Sequence, residues 1–189
     1  MTFIDLYVGG AFDGLEVIST KLSITPKVAG KDLLITNVRN EVRKEREKVN
    51  LLAAMPETNN QLTQLLIETR YDFVIIHPRV RLGKRAIRMS KRYETPLVFP
   101  VEPLFELRAS TITKARRNLL RAQQWNGFFA LSSGARKVSD LRAGPEIASI
   151  GILLGLNQNF ARKAVEVPNA VVERAEKRKR QLSWGIEAV

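Results

Sequence analysis

Seven short apolar runs, most of them hardly broken by a polar residue, constrain the fold of this chain more than any other feature. Leu33–Val38 reads LLITNV, Val49–Met55 VNLLAAM, Asp72–His77 DFVIIH, Pro96–Val101 PLVFPV and Gly127–Ser132 GFFALS. Phe3–Val8 precedes them, and so does Leu15–Ser19, which follows a Gly-Gly and an Asp-Gly turn signal. A strand with one face in water alternates apolar and polar residues. A nearly continuous apolar run belongs instead to a strand covered on both faces, as in a parallel sheet.

In the later gaps the period becomes helical. Asn59 or Asn60 can cap a helix running to about Thr69, with Leu62, Leu65 and Leu66 inward. Leu82–Tyr93 carries Leu82, Ala86, Met89 and Tyr93 at i, i+4, i+7 and i+11, and Ser110–Trp125 carries Ile112, Ala115, Leu119 and Ala122 on one stripe. Three further helices are predicted near 144–154, 158–165 and 168–182, with Pro168 in the first turn of the last. Alternating strands and helices imply parallel strands with right-handed crossovers. About seven such strands in 189 residues read as one α/β domain over residues 1–189, a small, distorted or incomplete TIM-like (β/α) barrel ending in a basic helix. An open doubly wound sheet shares the pattern. The first half is compressed, with only Thr20–Asp32 between the second and third runs, and Arg39–Lys48 reads as a charged helix or a long hairpin.

Charge narrows the function. Lys and Arg total 31 against 19 Asp and Glu, a net charge of +12 and an isoelectric point near 10.4. A domain that repels itself this strongly is usually matched to a polyanion, either nucleic acid or an anionic membrane surface. No run is long enough to span a bilayer, and no secretory signal pattern opens the chain. There is no cysteine, which excludes disulfides and thiolate metal sites and agrees with a cytoplasmic location. The cations are patterned. Arg79, Arg81, Lys84, Arg85, Arg88, Lys91 and Arg92 fall between Asp72 and Glu94 without an acidic residue among them. The apolar stripe of the helix turns Lys84, Arg88 and Lys91 outward together. Lys114, Arg117 and Arg121 share the outer face of the next helix, with Arg116 beside them. Ordinary solvated helix faces interleave Glu with Lys. Two neighbouring faces without that interleaving predict a band that tracks phosphates. The basic tail Glu173–Arg180 is equally well explained by the helix dipole.

Enzyme signatures are sparse. His77, the only histidine, ends the fifth run before Pro78, on the side where β/α barrels place active sites. One histidine without cysteine cannot build the usual zinc cage. Asp5, Glu16, Glu57, Glu102 and Glu106 are scattered, and only Glu102 merits consideration as a metal ligand. No dinucleotide fingerprint, P-loop or nucleophile elbow is present. No catalytic residue, metal ligand or bound cofactor is therefore assigned, and His77 reads as a structural residue or a phosphate contact.

From the seventh run onward the order of residues is more specific than any single motif. Phe129-Ala130-Leu131-Ser132-Ser133-Gly134-Ala135-Arg136 is followed by Asp140-Leu141-Arg142, Pro145-Glu146 and Gly151-Ile152-Leu153-Leu154-Gly155-Leu156. This set resembles the signature of archaeal ribonuclease P protein component three, the counterpart of the eukaryotic thirty-kilodalton subunit. Asp5-Leu6, Asp72–Pro78 and Arg116-Arg117-Asn118-Leu119-Leu120 extend the likeness more loosely, while the first third is shorter than is typical of that family.

The resemblance implies a distorted β/α barrel that binds the ribonuclease P RNA together with a smaller protein subunit, and precursor tRNA indirectly. The holoenzyme removes the 5′ leader of precursor tRNA by magnesium-dependent hydrolysis, with the RNA supplying the active site and this chain none. The barrel is akin to that of the polymerase and histidinol phosphatase phosphoesterases, which carry a histidine pair after the first strand and an Asp-Ala-His on a late one. Here the first strand continues Leu6-Tyr7-Val8-Gly9 and the late one reads Gly134-Ala135-Arg136. An arginine at that place replaces a metal ligand with a planar fork of phosphate donors. The candidate RNA-binding residues are His77, Arg79, Arg81, Lys84, Arg88, Lys91, Lys114, Arg117, Arg121, Arg136, Lys137 and Arg142. Ser132 and Ser133 are expected to end the strand structurally. Trp184 is a candidate for docking the tail on the barrel or for a protein contact. Two rival readings are a metal-dependent phosphoesterase acting alone and a structural RNA-binding barrel of another ribonucleoprotein.

Overall fold

The computed structural model describes residues 3–9, 15, 24–28, 33–35, 50–67, 71–106 and 108–183. Its strands are β1 (Phe3–Val8), β2 (Ile24–Val28), β3 (Leu33–Ile35), β4 (Leu51–Ala54), β5 (Phe73–Ile75), β6 (Leu97–Pro100) and β7 (Phe129–Ser132). Its helices are α1 (Asn59–Ile67), α2 (Lys84–Arg92), α3 (Ala109–Gln124), α4 (Gly144–Leu153) and α5 (Gln158–Ser183). Short 3-10 turns occupy Glu102–Leu104 and Val138–Asp140.

Every strand pairing among these residues is parallel. β3 to β7 pair in sequence order, and β1 pairs with β2. A seam joins the two sets. The Gly134 N–H donates to the Tyr7 carbonyl at 3.0 Å, the Gly9 N–H to the Ala135 carbonyl at 2.8 Å, and the Tyr7 N–H to Ser132 Oγ at 3.0 Å. The strand order is thus β2-β1-β7-β6-β5-β4-β3, the neighbour sequence of a TIM-like barrel.

Alternation along the strands divides the apolar residues into two cores. Leu6, Leu33, Leu51, Ala53, Phe73, Ile75, Val98 and Ala130 fill the interior. Leu52, Ala54, Val74, Leu97, Phe99, Phe129 and Leu131 face the helices. All four residues of β4, β6 and β7 are buried, which is why their sequences show no polar face.

α5 belongs to both cores. Ala161 and Ala164 pack in the outer one, whereas Val171, Val172 and Ala175 complete the inner one. Its second half lies across the amino ends of the strands. Arg178 Nη1 meets Asp72 Oδ1 at 2.8 Å just before β5, and Arg174 Nη1 donates to the Glu94 carbonyl at 2.7 Å before β6. Asp72 Oδ2 also accepts the Leu52 N–H at 2.8 Å, so one carboxylate ties two strands to the helix beneath them.

Several elements differ from the sequence reading. The second described strand is Ile24–Val28, which the sequence reading did not mark, and of the predicted Leu15–Ser19 only Leu15, helical and buried, is among the described residues. Pro26 and Lys27 break the apolar run that marks the other strands. The predicted helices 158–165 and 168–182 are one, with Pro168 inside it. An interior proline costs about 3 kcal/mol, and burial of Val171 and Val172, at about 1.5–3 kcal/mol each, offsets that. α2 buries Ala86, Ile87 and Ser90, while Met89 and Tyr93 are only half-buried. The apolar stripe of the sequence omits Ser90, whose hydroxyl donates to the Ile87 carbonyl at 2.9 Å. Residues 36–49, including Arg39–Lys48, and Trp184 lie outside the described residues.

Candidate nucleic-acid interface

The carboxyl ends of β5, β6 and β7 surround a cavity of about 240 Å³. His77 and Arg79 reach it from the turn after β5, Glu102 and Glu106 from the segment after β6, Arg108 and Lys114 from the start of α3, and Arg136 from the turn after β7. His77 is half-buried, and its Nδ1 accepts the Arg79 backbone N–H at 3.2 Å. That bond places the imidazole proton on Nε2. Burial, followed by the charges of Arg79 and Arg136, holds the imidazole below its ordinary pKa.

The turn that delivers Arg136 depends on glycine. Gly134 has φ +66°, and a Cβ there would stand 2.6 Å from Pro100 Cβ. The Arg136 stem crosses Gly9, with its Cγ 3.1 Å from where a Cβ of Gly9 would be. Arg136 Nε lies 3.6 Å from Glu102 Oε1. Burial raises the Glu102 carboxyl above its usual range, and the Arg136 charge acts in the opposite direction. The second acid is also matched, since Arg108 Nε stands 3.3 Å from Glu106 Oε2.

Ser132 and Ser133 are structural, as expected. Both are fully buried. Ser132 Oγ is hydrogen-bonded to Asp5 Oδ1, the Ser133 N–H donates to the same oxygen at 3.1 Å, and Ser133 Oγ accepts the Ala135 N–H. Asp5 is completely buried, its Oδ2 has no hydrogen-bond partner among the described residues, and desolvation raises its pKa.

A second basic surface lies between α1 and α2. Lys84, Arg85, Arg88 and Arg92 line a groove of about 630 Å³ with Ile67, Met89 and Tyr93, and among the described residues no acid lines it. Neither helix α2 nor helix α3 has an acid in its first turn or a side chain capping its amino end.

The predicted faces are partly regrouped. Lys84 and Arg88 stay together, but Lys91 turns toward another groove of about 740 Å³, apolar inside, which it shares with Lys163, Glu166 and Arg174. Lys114 lines the strand-end cavity, whereas Arg117 and Arg121 adjoin Arg81. Arg121 Nη1 donates to the Leu82 carbonyl at 3.0 Å, and burial together with the charges of Arg81 and Arg117 lowers its pKa. Buried Asn118 fixes this junction, accepting the Leu82 N–H at 3.1 Å and donating to the Val80 carbonyl at 2.6 Å. Arg81, Arg117 and Arg121 thus form a basic cluster where α3 meets the turn before α2. Lys137 is exposed at the start of a 3-10 turn. Arg142 folds back, its guanidinium 4.8 Å from the Phe105 ring and donating to the Ser139 and Leu141 carbonyls.

Arg85, Arg92, Asn118 and Arg108 were not singled out as site residues from sequence. The first two sit in the acid-free run and were within reach of that signal. Asn118 and Arg108 carry no local mark. Among the described residues, no group of three or more His, Asp or Glu is placed to hold a metal ion, and no helix is long and apolar enough to cross a membrane.

The family model for RNase P subunit p30 matches residues 33–180. The chain belongs to the RNase P subunit p30 family. The match runs from β3 into the last turns of α5 and includes the strand-end cavity and the α1–α2 groove. Its role as a p30-family member is that of a ribonuclease P protein subunit. No curated protein matches the chain. Among solved structures, a chain of the cryo-EM structure of archaeal ribonuclease P with mature tRNA is similar in fold. It is 13% identical, with a TM-score of 0.68 over 93% of this p30-family chain and 82% of the other. A crystal structure of an uncharacterized protein is 14% identical, with a TM-score of 0.53 over 88% and 62% of the two chains.

Proposed function

We propose that this p30-family subunit binds the RNA of ribonuclease P along its basic side and leaves the chemistry to that RNA. The observation that carries the reading is the α1–α2 groove, which four cations line and, among the described residues, no acid. Each cation placed on a phosphate releases condensed counterions, and this gain holds RNA helices near one another. Base-paired RNA has a deep, narrow major groove that side chains cannot read, so recognition goes through backbone and shape. Arg81, Arg117 and Arg121 supply a further basic cluster, and Lys114 and Arg136 supply cations at the strand ends. The chain itself acts without a bound cofactor, and magnesium serves the RNA. Precursor tRNA is then an indirect partner, a smaller ribonuclease P protein a direct one, and the site of work cytoplasmic.

Reconstituted cleavage of precursor tRNA, using the cognate RNA and the other proteins with and without this chain, tests the proposal. The chain is expected to lower the magnesium requirement or raise the rate. Unchanged cleavage with tight RNA binding would favour a structural role in another ribonucleoprotein. Phosphodiesterase activity of the chain alone, lost on His77→Ala, would favour the phosphoesterase reading.

A further inference from the structure

The strand-end cavity differs in kind from the open basic groove, and it deepens the RNA-binding reading on which it rests. At about 240 Å³ it is smaller than the ~300–1,000 Å³ of pockets that enclose whole small molecules. At about 30 Å³ per water, it has room for one tetrahedral oxyanion with its solvent. Among the described residues no ring of Phe, Tyr or Trp lines it, and its lining is mostly charged.

Its charges are not balanced internally. Glu102 is met by Arg136 and Glu106 by Arg108, which leaves Arg79 and Lys114 without an ion pair among the described residues. The start of α3 is built against its own dipole. A cation, Arg108, stands at its amino cap, where an acid or a capping side chain would be favoured, and Lys114 follows in the second turn. α4 and α1 carry such caps, whereas α2, like α3, has none. Glu146 Oε2 accepts the Ala143 N–H at the start of α4, and Thr58 Oγ1 accepts the Gln61 N–H at the start of α1. His77 adds a neutral donor, because the Arg79 N–H occupies Nδ1 and leaves the proton on Nε2.

We propose that this cavity holds a single phosphate group, gripped by Arg79, Lys114 and the Nε2–H of His77. The chemistry is shared by an internal phosphodiester of an RNA strand and a terminal phosphomonoester.

The only histidine of the chain makes the test direct. Full-length protein labelled with ¹⁵N-histidine is titrated with inorganic phosphate at constant ionic strength, and the imidazole signals are followed. A saturable shift at Nε2 is expected. Affinity should fall about tenfold for each charged donor removed in Arg79→Ala and Lys114→Ala. Arg162→Ala, on the exposed face of α5, should leave the titration unchanged. Both altered sites are exposed, and circular dichroism confirms that the variants fold. Short RNA hairpins with a 5′-hydroxyl or a 5′-phosphate then separate the sources. An equal shift with both assigns an internal phosphodiester, and a shift with the second alone assigns a chain end. A His77 signal that does not move with phosphate, or that moves equally in the Arg79→Ala/Lys114→Ala double variant, overturns the proposal. Filter binding of ribonuclease P RNA by the same variants judges the broader reading separately, since the cavity can fail while RNA binding persists.

Discussion

The pair Asp72–Arg178 decides whether α5 closes the amino end of the barrel by a specific bond or only by apolar packing. The contact is forked, with Nη1 to Oδ1 at 2.8 Å and Nη2 to Oδ2 at 3.5 Å. The Asp72 side chain is 1% exposed and that of Arg178 33%. A charge-assisted hydrogen bond contributes about 1.5–3 kcal/mol, and solvent at the arginine reduces that to a coupling of about 1–2 kcal/mol. Arg178→Ala should cost about 1–3 kcal/mol, because it leaves a buried carboxylate with few partners. Asp72→Ala should cost more, about 3–5 kcal/mol, since it also orphans the Leu52 N–H. Equilibrium unfolding in urea of the wild type, both single variants and the double variant gives the coupling directly. The coupling should survive 1 M salt, which erases exposed pairs. A coupling under about 0.5 kcal/mol, or one that disappears at high salt, would refute the reasoning and leave α5 held by Val171, Val172 and Ala175 alone.

Gly134→Ala should destabilise by about 2–4 kcal/mol, from the left-handed backbone and the approach to Pro100, read as a lower urea midpoint. Lys84→Glu/Arg88→Glu should weaken RNA binding and flatten the plot of log affinity against log salt by about two, whereas an unchanged slope would remove both residues from the interface. The raised pKa of Asp5 means that the folded state holds its proton more tightly than the unfolded chain. Its contribution is complete below about pH 4 and is lost as pH climbs to the folded value, so wild type should lose up to about 1.4 kcal/mol per pH unit relative to Asp5→Asn across that interval. His77 has the opposite sign. Its lowered pKa adds stability above the unfolded value near 6.5 that fades as pH falls to the folded one, and its NMR titration midpoint should lie below that of a free histidine.

β4 to β7 were legible because strands buried on both faces have no polar residues to disguise them. β2 was not, since Thr25, Pro26 and Lys27 carry no such mark and its pairing with β1 is a tertiary fact. Pro168 divided α5 on paper because local propensity counts the lost hydrogen bond and cannot count the core on which the second half lies. Ser90 and Asn118 were hidden for one reason. Each is a polar residue whose buried position is tolerated only through a particular carbonyl or amide nearby. In the site, the acid-free run from Arg79 to Arg92 was plain in the sequence, and so was Arg136 at the end of β7. The pairing of Arg136 with Glu102 was not legible, because residues 34 apart meet there only when β6 and β7 lie side by side.

The seam between β1 and β7 bears on how the molecule assembles. Tyr7 and Ser132 are separated by 125 residues, whereas β3 to β7 each pair with the next strand in the chain. Closing so long a loop costs only about 1.2 kcal/mol more than closing one of about 30 residues. Even so, that entropy is lost before any seam contact forms, which favours early growth of the five-stranded sheet and late arrival of β1. Substitutions at Asp5 or Ser132 then accelerate unfolding and leave the folding rate nearly unchanged. Arg136 lies just past the seam with its stem across Gly9, so the strand-end cavity is completed by the last step of folding rather than the first.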